Sequence, residues 1–241
     1  MARAFASLMV MRWFILVVLL PVAASAAVLK FSSGETRTHL LELFSSEGCS
    51  SCPPAEAWLG GLRTSPSLWR DFVPVAFHVG YWDRLGWRDR FARKEYTERQ
   101  YAHAHAWGTG NVYTPAFVLD GAEWRNSAAP GPLEEKAGRL SVEYAAGACR
   151  IDFAPPGDFE VHVALLGGGI SSRVQSGENR GRTLRHDFVV LNLQTSRLAA
   201  GAAELTVPAA GDPAVTRQAL AIWITRRGQL VPVQATGGWI D

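Results

Sequence analysis

Two cysteines three residues apart, Cys49-Ser50-Ser51-Cys52, stand between an apolar run and a segment headed by Pro53-Pro54, and no other feature restricts the fold of this chain as strongly. Upstream, Arg37 to Phe44 (RTHLLELF) reads as a strand with one acid inside it, and Ser45-Ser46-Glu47-Gly48 as a loop. Downstream, prolines are tolerated in a first helical turn, where their missing N–H groups have no partner to lose, so Cys52 to Leu62 reads as a helix. Strand, tight loop and helix follow in order, with Cys49 close to the helix N-terminus. Two cysteines so placed project to one side, within the roughly 4.4 to 6.8 Å between Cα atoms that a disulfide spans. The unpaired N–H groups and partial positive charge of a helix start stabilise a thiolate and lower a thiol from about 8.5. Cys49, the outer member, is the expected nucleophile, and Cys52, less exposed, the resolving thiol. Two other readings compete. A structural disulfide over so short a loop constrains the unfolded chain little, and half of a zinc site lacks a second C-x-x-C or close Cys/His pair to complete four ligands.

Phe72 to Val79 (FVPVAFHV) reads as a second buried strand, left by the aromatic-rich loop Tyr81-Trp82-Asp83-Arg84-Leu85-Gly86-Trp87. Phe91 to Trp107 suits an amphipathic helix ending near Gly108. Val112 to Leu119 (VYTPAFVL) is a third strand, interrupted by Pro115 and closed by the hairpin signal Asp120-Gly121; a proline inside a central strand needs a reason. After Gly121 the composition shifts. Leu133 to Tyr144 reads as a helix, and Cys149 to Phe153, Glu160 to Leu166, Leu184 to Leu193, Glu204 to Val207 and Gln218 to Thr225 read as short antiparallel strands between Gly, Pro and Ser.

The first residues carry Arg3 and Arg12, an apolar run from Trp13 to Val22, and Ala24-Ser25-Ala26, the small-x-small pattern of a signal-peptidase site. Residues 1–26 are therefore expected to be a signal peptide cleaved after Ala26, which exports the body to the periplasm or beyond. An uncleaved anchor is the rival, since Trp13 to Leu29 holds no charge and approaches the roughly 17 to 25 apolar residues of a span. Without the two leader arginines, 22 basic residues face 22 acidic ones, so no nucleic acid or anionic membrane partner is expected. Three cysteines are too few for a disulfide scaffold in an oxidising compartment, and their odd number leaves one unpaired.

The order strand, C-x-x-C, helix, strand, helix, then Thr114-Pro115 opening a strand that ends in Gly121, resembles the thioredoxin superfamily, in which a cis-proline faces the cysteine pair. More specifically, LELFSSEGCSSCPPAEAWL at 41–59, AFHVGYWDRLGWRDRFA at 76–92, VYTPAFVLDG at 112–121 and GENRGRT at 177–183 resemble a bacterial family of secreted thioredoxin-like proteins catalogued as domain of unknown function 1223. The resemblance spans nearly the whole mature chain. It implies an α/β, thioredoxin-like fold over residues 27–140, a central mixed sheet with flanking helices, while the short strands of 141–241 read by themselves as an antiparallel β-rich region, packed on that fold or forming its own small sandwich. It also implies that Thr114 and Pro115 contact extended substrate, and that 178–182 is a candidate contact with the redox face. Ser-Ser replaces the Gly-Pro found between the cysteines of better-known thioredoxins, and Gly48 replaces the preceding Trp, so oxidant, reductant and isomerase directions stay open.

Around this pair, Glu42 is a candidate buried carboxyl that shuttles the proton of Cys52, against an edge-facing Glu beside Arg or solvent. His78 and Asp83 fall on the side of the cysteines in this topology; His78 either tunes the thiolate, binds a metal or is a hydrogen-bonded structural histidine. Tyr81, Trp82 and Trp87 form an apolar substrate rim or pack on the helix. His103 and His105, about 200° apart on a helix, cannot clasp one metal and read as surface residues. Cys149 reads as a small buried residue, and Gly167-Gly168-Gly169 lacks the ending of a phosphate loop.

The expected activity is thiol–disulfide oxidoreduction without an organic cofactor, acting on a thiol- or disulfide-bearing protein or small thiol. The alternatives are a Cu(I) carrier using both thiolates, with His78 as a further ligand, and a redox-inert periplasmic adaptor. Substrate, direction, electron partner and oligomeric state are not encoded legibly.

Overall fold

The computed structural model describes residues 27–126 and 128–241; the expected leader at 1–26 lies outside the described residues. In chain order the elements are β1 (Leu29–Ser32), β2 (His39–Ser45), α1 (Cys52–Gly61), β3 (Phe72–His78), α2 (Lys94–Ala106), β4 (Ala116–Leu119) and β5 (Ala122–Trp124). Then come β6 (Leu140–Ala145), β7 (Ala148–Phe153), β8 (Phe159–Gly168), β9 (Ile170–Arg173), β10 (Thr183–His186), β11 (Val189–Arg197), β12 (Ala202–Thr206), β13 (Arg217–Arg226) and β14 (Pro232–Trp239).

β2 and β3 run parallel and are buried along their whole length, as expected of strands covered on both faces. α1 connects them. They form the middle of an eight-stranded mixed sheet of order β14-β13-β8-β11-β3-β2-β4-β5. The two halves of the chain share this sheet: β11 pairs with β3 at Val189 and Ala76, and the Ala76 N–H donates to the Phe188 carbonyl at 2.8 Å. A second sheet of order β1-β6-β7-β12 covers one face, and β9 and β10 make a separate hairpin.

Parity explains how one sheet serves two cores. In β8, Val161, Val163 and Leu165 face the four-stranded sheet, while Ala164 and Leu166 join the core around β2 and β3. In β13, Leu220, Ile222 and Ile224 face the four-stranded sheet, and Ala219, Ala221 and Trp223 the other core. Successive side chains point to opposite faces, so a strand apolar at every position belongs between two layers. Cys149 is buried in the smaller core, where burial pushes its thiol up to about 12, and it takes no part in any disulfide.

The expected mixed sheet is present, but its helices are fewer than expected. The fold is mostly β, 43% strand against 15% helix, and α1 and α2 are the only α-helices among the described residues, so flanking helices are sparse. Leu133 to Tyr144 is not a helix: Leu140, Val142 and Tyr144 alternate into the core as β6, a period of two that three apolar side chains over five residues satisfy better than a helical stripe. Leu184 to Leu193 is two strands rather than one, broken at Phe188, whose φ is +60°. The β4–β5 hairpin forms where expected, with positive φ at both Asp120 and Gly121, the combination that Asp-Gly suits. No helix among the described residues is long and apolar enough to cross a membrane.

Candidate functional site

α1 begins at Cys52 with prolines in its first turn, and Cys49 and Cys52 are joined as a disulfide with Cα atoms 5.5 Å apart. The Thr114–Pro115 peptide is cis, and the Thr114 carbonyl oxygen lies 3.7 Å from Cys49 Sγ. Ser51 Oγ lies 3.3 Å from the same sulfur and 3.4 Å from the same carbonyl. Trp82 Nε1 donates to Thr114 Oγ1 at 2.8 Å. The structure thus gathers Cys49, Cys52, Thr114, Pro115 and Trp82 in one place, from a helix start, a strand start and a loop.

One expectation fails here. Cys49 is 1% exposed, although Ser50 and Ser51 beside it are open to solvent. Ser51 and Thr114 close on the sulfur, and Trp82 sits against the preceding residue: a Cβ on Gly48 would lie 2.8 Å from that of Trp82, so only glycine fits. The outer thiol is covered rather than presented.

Glu42 does not join the cysteines. Ser45 Oγ donates to Glu56 on α1, whereas Glu42, of opposite parity in β2, points to the α2 side. There Arg99 donates Nε to Oε2 at 2.6 Å and Nη2 to Oε1 at 3.0 Å, and His103 Nε2 lies 3.3 Å from Oε1. Burial would raise this carboxyl, but Arg99 and His103 outweigh it and hold it at about 2. A carboxylate so paired has no proton to relay. His103 is correspondingly buried, not a surface residue, while His105 is exposed.

The ionisable groups that do lie beneath the cysteine loop come from elsewhere. Glu56, one turn beyond Cys52, accepts from Ser45 through Oε1 and meets His186 Nδ1 through Oε2. His186 Nε2 lies 3.2 Å from Glu47 Oε1, and Trp87 Nε1 donates to Glu47 Oε2 at 2.7 Å. His78 Nδ1 lies 2.6 Å from Asp89 Oδ2, an oxygen that also accepts from the Glu47 N–H at 2.8 Å. Burial alone would push the His186 imidazole down, but Glu56 and Glu47 raise it to about 10. Likewise burial opposes charge on Asp89, yet His78 and the N–H groups of Glu47 and Phe91 hold it at about 2.

Of the sequence candidates, His78 belongs to this cluster and Asp83 does not. Asp83 Oδ1 accepts from the Asp89 N–H at 3.1 Å and so braces the loop that carries Asp89. Glu47, Glu56, Asp89 and His186 were not singled out from sequence. Glu56 alone carried a local signal, as the one acid in an otherwise apolar helix.

The tip between β9 and β10 clasps the cysteine loop. Asn179, fully buried, donates Nδ2 to the carbonyls of Glu47 at 2.9 Å and Cys49 at 2.8 Å, while Arg182 donates to its Oδ1 at 2.6 Å. Glu178 accepts from the Ser50 N–H at 2.9 Å. Residues 178–182 therefore shape the loop from more than 120 residues away.

Comparisons with known proteins agree with a chain of this architecture. The crystal structure of protein AGR_C_4864 from Agrobacterium tumefaciens is similar, with 26% identity, a TM-score of 0.61, and coverage of 85% of this chain and 95% of that one. HBP35 of Porphyromonas gingivalis shares the fold at 10% identity, with a TM-score of 0.52 over 86% of this chain and 76% of that one. No curated protein matches the sequence. Residues 40–225 match the family described as protein of unknown function (DUF1223), and the chain belongs to that family.

Proposed function

We propose that this chain is an exported, thioredoxin-like thiol–disulfide oxidoreductase whose reacting atoms are the sulfurs of Cys49 and Cys52. The observation that carries the reading is the disulfide at the start of α1 with Cys49 Sγ 3.7 Å from the Thr114 carbonyl, next to Pro115. That carbonyl offers an extended substrate a backbone acceptor beside the sulfur that must be attacked. Trp82, bonded to Thr114, supplies an apolar wall. Export rests on the leader pattern at Arg3, Arg12 and Ala24-Ser25-Ala26.

In the oxidising direction Ser51 and Thr114 draw back from the covered sulfur, a partner thiolate attacks Cys49 Sγ, the Cys49–Cys52 bond breaks, and Cys52 leaves with the electron pair. A second partner thiolate then attacks the partner sulfur of the mixed disulfide and expels Cys49, so the partner loses two electrons and the chain gains them. In the reducing direction the same steps run backwards, with Cys49 as nucleophile and Cys52 resolving. The helix N-terminus favours the anionic sulfur in both directions.

Mixed-disulfide trapping tests this. Cys52→Ser should accumulate a disulfide-linked partner through Cys49, and Cys49→Ser should accumulate none. Equal behaviour of the two variants and the parent would remove the reading.

A further inference from the structure

The cluster beneath the cysteine loop is not used by the thiol chemistry, and three of its members suggest a second site. One ligand atom each from Glu56, His78 and His186 lies within 4.8 Å of the other two, and all three residues are buried. They come from α1, the end of β3 and the end of β10, on the carboxyl side of the parallel pair β2 and β3, where sheets of this kind place ligands. We infer that Glu56, His78 and His186 form a binding site for a divalent d-block cation, of which Zn(II) is the best matched by chemistry, separate from the two sulfurs.

The first support is an unpartnered nitrogen. His78 is fully buried and its Nδ1 faces Asp89, while its Nε2 has no hydrogen-bond partner among the described residues. Leaving a buried polar atom unpaired costs on the order of 1–3 kcal/mol, so such atoms call for an explanation. A cation bound by Nε2 supplies one.

The second support is the surrounding shell. A metal-bound imidazole almost always gives its other nitrogen to a carboxylate or carbonyl, which fixes the tautomer and the ring. Both imidazoles have this arrangement: His78 Nδ1 on Asp89 at 2.6 Å, and His186 Nε2 on Glu47 at 3.2 Å, leaving Nδ1 beside Glu56. The supporting groups are themselves held, Glu47 by Trp87, Asp89 by the N–H groups of Glu47 and Phe91, and Glu56 by Ser45. No Lys or Arg pairs with these three carboxylates among the described residues. Two imidazoles and a carboxylate are a zinc donor set, and no thiolate is needed. A way in exists: Glu56 and His186 line a cleft of about 690 Å³ that opens between α1 and the β9–β10 hairpin.

The test uses the full chain stripped with chelator and kept oxidised, so that the sulfurs are unavailable, with Zn(II) alone as probe in equilibrium dialysis. One Zn(II) per chain is expected, and Co(II) in its place should show visible d–d bands without sulfur-to-metal charge transfer. The Cys49→Ser/Cys52→Ser variant should bind equally well. His78→Asn and Glu56→Gln should each lose at least tenfold in affinity, and Glu47→Gln, which touches only the supporting shell, on the order of 10- to 100-fold. If a direct-ligand variant fails to fold, Glu47→Gln and the Co(II) spectrum still decide. Binding no tighter than that of a folded His78→Asn chain, or binding that requires reduced cysteines, would overturn the site and leave a network closed by protons alone. Because the disulfide stays shut throughout, either outcome is independent of the oxidoreductase reading.

Discussion

Two buried polar clusters lie on opposite faces of the same sheet, and they are built from different cations. On the α2 side, Glu42 meets Arg99 in a two-point pair beside His103, with Arg99 stacked over the Phe77 and Trp223 rings at 5.4 and 5.5 Å. On the α1 side, the side chains that form ion pairs with Glu47, Glu56 and Asp89 among the described residues are His78 and His186. A guanidinium cannot shed its proton, so Arg99 is a fixed cation; an imidazole can exchange a proton for a metal ion or a hydrogen bond. The first cluster is sealed by apolar rings, and the second borders the cysteine loop and an open cleft. Burial and charge therefore do not mark a functional site by themselves. The α1 cluster differs in having exchangeable partners next to a route from solvent.

The largest way to break this contrast is to remove the fixed cation. Arg99→Met strands a buried carboxylate and should cost about 3–5 kcal/mol of unfolding free energy, most of it recovered in the Glu42→Gln/Arg99→Met double variant. Urea unfolding checks both, and a loss under about 1 kcal/mol in the single variant would show that Glu42 finds another partner. The same titration run against pH sharpens it. Glu42 sits at about 2 against an ordinary value of 4.5, so the unfolded chain takes up its proton first on acidification. Its contribution is complete above about pH 4.5 and fades towards pH 2, amounting to about 3 kcal/mol. His103 on α2 and Arg99 face the carboxylate directly. His162 on β8, kept neutral down to about 3 by burial and by Arg99, adds a loss of the same sign below its ordinary 6.5. In Arg99→Met the acid-side slope due to Glu42 should flatten.

A smaller effect probes the α1 side. Trp82 packs on Gly48 and bonds Thr114 while Cys49 is covered. Trp82→Ala should speed reduction of the disulfide by dithiothreitol several-fold with little change in stability. An unchanged rate would mean that Ser51 and Thr114, not Trp82, control access.

These regions also differ in how far the sequence discloses them. Local patterns locate β2, α1, β3, α2 and the Asp120-Gly121 hairpin to within a few residues, because each rests on periodicity or on turn chemistry. β14 is not legible in the sequence, since Gln234, Thr236, Gly237 and Gly238 lack the bulk expected of a strand. Its glycines are explained only by what they touch, Gly237 against the Trp69 ring and Gly238 against Phe31. Among site residues, Cys49, Cys52 and His78 are readable from motif and topology, and Thr114 and Pro115 from the family resemblance. Glu56 and His186 meet across 130 positions, and Asn179 reaches Cys49 across 130, so no local window contains either contact. Glu42 misses the cysteines because of the face of β2 on which it lies, towards Arg99 and away from Ser45 and Glu56.

The central claim is that the Cys49–Cys52 bond opens and closes in use, and its reduction potential in glutathione buffers tests that most directly. A couple that equilibrates with glutathione, with a potential above about −300 mV, is the predicted result. A bond that stays shut at every glutathione ratio, with a potential below that value, would contradict the account and make the disulfide a structural staple.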